Sequence, residues 1–229
     1  MQKQPSISPL FSRNFREEGP VTICFLGDSI TQGCFELGVC DLNAVYHNQL
    51  RMLLAEKYPS LPVNIINAGR GGDNTQEALA RLDRDVISHY PDIVVIYLGT
   101  NDVWGTTDGF QEGMTAIIER LLTEGCYIVL MTGTHMNKAV RPHLTPEMAE
   151  IAEKMAVRQN EGHCLAVFEI TRKLAETYGL PLVDIYAHYD ELAAQGVDTD
   201  TLLANGINHP SHEMHAVFAE KLFTLLTTN

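Results

Sequence analysis

The 229-residue chain is predicted to be a three-layer αβα sandwich: a five-stranded, mostly parallel, flavodoxin-like sheet with helices on both faces. Three observations predict it. Short apolar runs recur along the chain and are continuous rather than alternating, as strands buried on both faces require. Amphipathic stretches separate these runs, and parallel strands need such crossovers, which are right-handed. The composition, 45% hydrophobic and 20% charged, is that of a globular chain able to bury a core without disulfide staples.

Taken in order, residues 1–20 are polar with scattered prolines and no apolar leader, and are set apart as an N-terminal extension; residues 21–229 form one domain. Val21–Leu26 is the first strand, ended by Gly27. A helix follows over 43–57, with Ala44, Val45, Leu50, Leu53 and Leu54 on its apolar face, and Tyr58-Pro59 and Leu61-Pro62 turn the chain into a second strand, Val63–Ile66. Ala78, Leu79, Leu82, Val86 and Ile87 share a helical face, and Pro91 precedes the third strand, Ile93–Leu98. A helix over about 110–124 is broken by Gly125 before the fourth strand, Tyr127–Met131. The stretch from Gly133 to Glu161, with His135, Arg141-Pro142-His143 and Thr145-Pro146, reads either as a lid or as a long connection ending in a charged helix. Leu180–Ile185 is the fifth strand, and a helix over about 212–226 closes the chain with Met214, Val217, Phe218, Leu222, Leu225 and Leu226 inward.

Sixteen basic residues against twenty-nine acidic ones leave a net charge of −13, a field that repels phosphate backbones and anionic membrane surfaces. Nucleic acid and membrane are therefore not expected as partners. The five cysteines, Cys24, Cys34, Cys40, Cys126 and Cys164, are odd in number and contain no CxxC pair, which fits a reducing cytoplasm better than a disulfide framework or a zinc site. No stretch reaches the length of a membrane-spanning helix. The oligomeric state stays open, a homo-oligomer included.

Sheets of this kind place their chemistry beyond the carboxyl ends of the strands. Directly after the first strand stands Gly27-Asp28-Ser29-Ile30-Thr31-Gln32-Gly33, which puts Ser29 where a nucleophile belongs, although a serine there can equally cap a helix. After the second comes Asn67-Ala68-Gly69-Arg70-Gly71-Gly72-Asp73-Asn74-Thr75, whose glycine N–H groups can approach a substrate oxygen closely. It matches no phosphate-binding glycine pattern, so a nucleotide cofactor is not expected. Gly99-Thr100-Asn101-Asp102 follows the third strand and sets an amide donor at the same edge. Asn205-Gly206-Ile207-Asn208-His209-Pro210 precedes the last helix and brings His209, a base at neutral pH, toward Ser29.

These four blocks, in this order along the chain, resemble the GDSL-type SGNH hydrolases, serine esterases and acylhydrolases. The resemblance runs from about Val21 to Leu226. It implies the SGNH hydrolase fold, Ser29 as nucleophile, His209 as general base, and Gly72 and Asn101 with the Ser29 N–H as oxyanion donors, with no cofactor and no metal. It further implies hydrolysis of short-chain acyl esters through an acyl-enzyme, with an acetylated sugar as first choice of substrate. Lysophospholipase or thioesterase activity within the family, and a non-catalytic carbohydrate-binding protein on a decayed esterase fold, are the alternatives.

One position departs from the family pattern. An aspartate usually stands three residues before the histidine, and here that residue is Gly206. Asn205, a backbone carbonyl, Asp198 or Asp200 could each orient the imidazole instead, and the favoured expectation is a Ser-His dyad. His212 and His215 flank Glu213 one residue short of a zinc-protease spacing, so they are expected to line the site or cap the helix rather than bind metal. Trp104 could floor an acyl or sugar pocket or pack on the sheet, and Cys34 and Cys40, after Ser29, could pair or stay inert thiols.

Overall fold

The structure, a computed structural model, describes residues 4–36 and 38–228. The main sheet has strand order β4-β1-β5-β6-β7. It is built from β1 (Val21–Gly27), β4 (Val63–Gly69), β5 (Ile93–Tyr97), β6 (Tyr127–Met131) and β7 (Leu182–Val183), all parallel. A separate antiparallel hairpin, β2 (Cys34–Glu36) with β3 (Val39–Cys40), lies outside it. The sequence foresees neither strand of that hairpin.

Alternation along the buried strands sends side chains to two cores. Cys24, Leu26, Val94, Ile96, Ile128 and Leu130 meet helices Thr107–Thr123, Pro146–Asn160 and His163–Tyr178 on one face. Ile23, Phe25, Val95, Tyr97, Val129 and Met131 meet Tyr46–Lys57 and His212–Thr227 on the other. The second face also takes up the N-terminal segment, where Ile7 and Phe11 are buried and the Gln4 side chain pairs with the Ile128 backbone at 2.8 and 3.1 Å.

The second strand runs to Gly69 rather than Ile66, because Asn67, Ala68 and Gly69 stay in register with Phe25, Leu26 and Gly27 of β1. Two further elements differ from the sequence reading, each for a local reason. The fifth strand is cut to Leu182–Val183 because Asp184 caps a helix over Ile185–Ala194, accepting the Ala187 N–H at 3.0 Å. The helical run through 78–87 is broken after Ala80, since Arg81 leaves helical geometry (φ −111°, ψ 3°) while its guanidinium turns toward the sheet. The first part of the stretch after β6 is a fixed connection: Thr132, Thr134, His135, Met136 and Asn137 are buried, and the Asn137 N–H donates to the Ile207 carbonyl at 2.8 Å, whereas residues 138–140 are exposed.

The strand order reverses between β1 and β5, so a crevice opens at their carboxyl ends. Ser29 follows β1 and Asn101 follows β5, which places both at that switch point.

Candidate active site

Ser29 opens a short helix, Ser29–Gln32, capped by Asp28, whose Oδ1 accepts the Ile30 N–H at 2.9 Å. This turn is pressed between the ends of β1 and β4. A Cβ at Gly69 would stand 2.2 Å from the Gln32 nitrogen, and one at Gly27 would stand 2.0 Å from Thr31 Oγ1. Only glycine at both positions lets the serine turn sit this deep.

His209 arrives from the segment before the last helix. That segment is folded around Asn205, whose Oδ1 accepts the N–H groups of Ile207, Asn208 and His209 at 3.0, 2.9 and 2.9 Å. The imidazole Nε2 lies 2.9 Å from Ser29 Oγ. On its other side Nδ1 lies 3.2 Å from the Phe35 carbonyl of β2. A carbonyl can only accept, so in the neutral ring Nδ1 carries the proton and Nε2 presents its lone pair to the serine hydroxyl.

The group facing Nδ1 is thus a backbone carbonyl. Asn205 shapes the loop and does not reach the ring. Asp200 accepts the Lys138 and Ala139 N–H groups at 2.9 and 3.1 Å, and Asp198 pairs with Arg141 at 2.7 Å. Gly206 has φ +67°, and the His143 and Leu144 side chains close over its Cβ position at 3.4 Å. The space that an aspartate side chain would enter is therefore bordered by the 141–144 segment.

Phe35 is itself held by histidines. Its ring stacks on His212 at 4.0 Å and lies against His215 at 4.4 Å, while the Tyr46 N–H donates to His215 Nδ1 at 3.1 Å. Burial pulls the His215 pKa down to about 3, so that ring is neutral. These two side chains therefore act as packing partners of the strand that faces His209. Trp104 is exposed, with the Arg158 guanidinium 5.9 Å from its ring.

Asn101 and Gly72 reach the same edge. The Asn101 amide donates one proton to the Asp73 carbonyl at 2.8 Å and keeps a second. Gly72, at φ +84°, lies in the exposed turn just before buried Asp73. That turn is fixed from beneath by residues sequence reasoning missed. Arg81 bonds Asp73 at 2.5 Å, the Ala68 carbonyl at 2.8 Å and the Gly27 carbonyl at 3.0 Å, joining the ends of β1 and β4. Asp102 accepts from Thr75 through its N–H at 3.0 Å and its hydroxyl at 2.6 Å. The available signal was an arginine on an otherwise apolar helical stripe, three residues after Ala78 and next to Leu82.

Electrostatics divide the site. His209 is held below the ordinary histidine value by burial, which its hydrogen bond to Phe35 partly opposes. Asp28 is wholly buried and its pKa is pushed up to about 7, chiefly by desolvation and in part by Asp102. Its Oδ2 and the neighbouring Thr100 hydroxyl both lack a well-formed hydrogen bond.

A stability prediction follows from that carboxyl. Its folded pKa near 7 lies above the unfolded 3.8. The native state therefore gains from the bound proton below 3.8 and loses that gain as pH rises through 7. Asp28→Asn keeps the cap and removes the buried charge. It should stabilise the protein at pH 8 by on the order of 3–4 kcal/mol and flatten the fall of stability with pH. Urea melts at about pH 4 and 8 check it; equal stabilities of the two proteins at pH 8 would sink the argument.

The GDSL-like lipase/acylhydrolase family model matches residues 25–217. This chain belongs to that family. Among curated relatives, it is 36% identical over 93 residues to an acetylxylan esterase of Geobacillus stearothermophilus, covering 38% of this chain and 42% of that one. It is also 27% identical over 162 residues to the uncharacterized lipoprotein YqeF of Bacillus subtilis (strain 168), 65% of each chain. These alignments thus span less than two thirds of either relative. Among solved structures, the acetyl xylan esterase AlAXEase is similar at TM-score 0.69 and 25% identity, covering 89% of this chain and 98% of that one. The lipase/acylhydrolase of Enterococcus faecalis shares the fold at TM-score 0.71 and 21% identity, over 90% and 95%. Among the described residues, no helix is long and apolar enough to cross a membrane.

Proposed function

We propose that this chain is a serine-dependent ester hydrolase that removes short acyl groups, acetyl first, from a polar carrier such as a carbohydrate. The observation that carries the reading is the 2.9 Å approach of Ser29 Oγ to His209 Nε2, with Nδ1 held by the Phe35 carbonyl. His209 takes the Ser29 proton as Oγ attacks the acyl carbonyl. The Ser29 and Gly72 N–H groups and the second Asn101 amide proton receive the oxyanion. The protonated His209 then gives its proton to the leaving alcohol, and water releases the acyl group from Ser29 by the same path reversed.

The missing aspartate alters this scheme less than a triad would suggest. In a serine protease, Asp→Asn costs about 10⁴ in kcat through the wrong imidazole tautomer. A carbonyl enforces the right tautomer, and only the counter-charge to the imidazolium is lost. The acyl preference is supported by the acetylxylan esterase relatives, and the 132–137 segment, packed inside, offers no long apolar lid for a bulky lipid.

Fluorophosphonate labelling with peptide mapping, run beside release of acetate from acetylated xylo-oligosaccharides, tests the proposal. Label on Ser29 with acetate release supports it. An intact but unlabelled, inactive protein points to a carbohydrate-binding role, and turnover of long-chain lysophospholipids alone would move the substrate class.

The acid limb of kcat/KM offers a separate check. Only the neutral ring can accept the serine proton, and burial lowers its pKa, so activity should be lost as pH falls, with a midpoint below 6.5 and a plateau by about pH 7. A midpoint above 7 would exclude His209 as this base.

The cytoplasm is the proposed location, resting on five cysteines without a CxxC pair, and cell fractionation that recovers the chain with membranes or medium would overturn it.

A further inference from the structure

We propose that Cys34 and Cys40 form a reversible disulfide that fixes the strand presenting the Phe35 carbonyl to His209. The two residues face each other across the β2–β3 hairpin, in direct register. Their sulfurs are 3.1 Å apart as free thiols. Opposed residues of an antiparallel pair have Cα atoms about 4.5–5.5 Å apart, inside the roughly 4.4–6.8 Å that a disulfide spans. Closure to about 2.05 Å then asks for side-chain rotation and little backbone movement.

The pair is also the one an oxidant can reach. Cys40 is exposed and Cys34 partly so, whereas Cys24, Cys126 and Cys164 are buried. Burial also pushes the Cys24, Cys126 and Cys164 thiols up to about 12, 11 and 12, which keeps them protonated and inert. Burial likewise holds Cys34 as a thiol, and the exposed Cys40 sulfur meets the oxidant first. With hydrogen peroxide as the two-electron oxidant, Cys40 sulfur displaces hydroxide to become a sulfenic acid. Cys34 sulfur then attacks it, forming the S–S bond and releasing water. Overall, two thiols and one peroxide give one disulfide and two waters.

The consequence for turnover rests on the dyad reading above. Phe35 immediately follows Cys34, and its carbonyl is the group facing His209 Nδ1. The hairpin stands apart from the main sheet, closed at its base by the Asp41 N–H to the Gly33 carbonyl at 2.9 Å. A covalent tie beside Phe35 narrows the range of positions its carbonyl visits. It should raise kcat about two- to fivefold at constant KM, a fraction of what one ångström of misplacement costs.

The test compares the full chain reduced with a phosphine and oxidised with stoichiometric peroxide. Peptide mapping after alkylation should show a Cys34–Cys40 linked peptide two hydrogens lighter, and dithiothreitol should reverse both the link and the rise in p-nitrophenyl acetate kcat. Cys34→Ser and Cys40→Ser should each remove the response to peroxide. Oxidation that stops at unpaired sulfenic or sulfinic acid, or that links separate chains, overturns the proposal. So does a linked peptide whose kcat equals that of the reduced protein. Turnover that survives Ser29→Ala would sink the dyad reading alone, and the linked peptide would still decide whether the disulfide exists.

Discussion

Replacing either Ser29 or His209 with alanine should cut kcat by about 10⁴–10⁶ with little change in KM, and the double variant should be no worse than the poorer single. In the proposed mechanism the two side chains, 2.9 Å apart, act as one unit, so losing one leaves the other without a task. What survives should come from the proposed oxyanion donors and from binding, which stabilise the transition state without a nucleophile. Neither change should unfold the protein, since both side chains are only partly buried and neither supports a core cluster. Circular dichroism melts alongside p-nitrophenyl acetate kinetics separate the two effects. Multiplying losses in the double variant would mean the pair does not work as a dyad.

Much of this architecture is legible in the sequence, because strands buried on both faces must be continuous apolar runs. Val21–Gly27, Ile93–Tyr97 and Tyr127–Met131 fall within a residue of where the runs place them. Boundaries fail where a polar side chain takes over the backbone's hydrogen bonds. Asp184 ends the fifth strand early in this way, and Arg81 breaks a helix to reach the sheet.

The four site blocks are legible for a related reason: three lie at the ends of strands and the fourth just before the last helix, all elements whose ends the pattern marks. The partner of His209 is not, since a backbone carbonyl has no residue type to recognise, and Phe35 reads as an ordinary apolar residue. The hairpin that delivers it has strands of three and two residues, too short for any period to register. The acidic candidates near 198–200 were plausible by proximity in sequence, yet backbone N–H groups at 138–139 and the Arg141 guanidinium occupy them.

Arg81→Met should destabilise the protein by about 3–5 kcal/mol, because it strands a buried carboxylate rather than removing a pair. Asp73, buried, would keep only the exposed Arg70, whose Nε is 3.5 Å away. The Ala68 and Gly27 carbonyls would each lose the Arg81 hydrogen bond as well, the latter keeping the Arg70 N–H at 3.1 Å. For a chain of this size the melting temperature should fall by roughly 6–20 °C. Adding Asp73→Leu removes the orphaned charge and should return part of that loss. Kinetics distinguish positioning from mere stability. Arg81 holds the Asp73 turn, the Asp73 carbonyl holds the Asn101 amide, and Asn101 faces the acyl oxygen only in the proposed transition state. At a temperature where the variant is fully folded, kcat should therefore fall about ten- to a hundredfold while KM stays near the wild-type value. A folded Arg81→Met protein with wild-type kcat would show that Asn101 keeps its place without the turn, and would cut the link between the buried ion pair and the oxyanion donors.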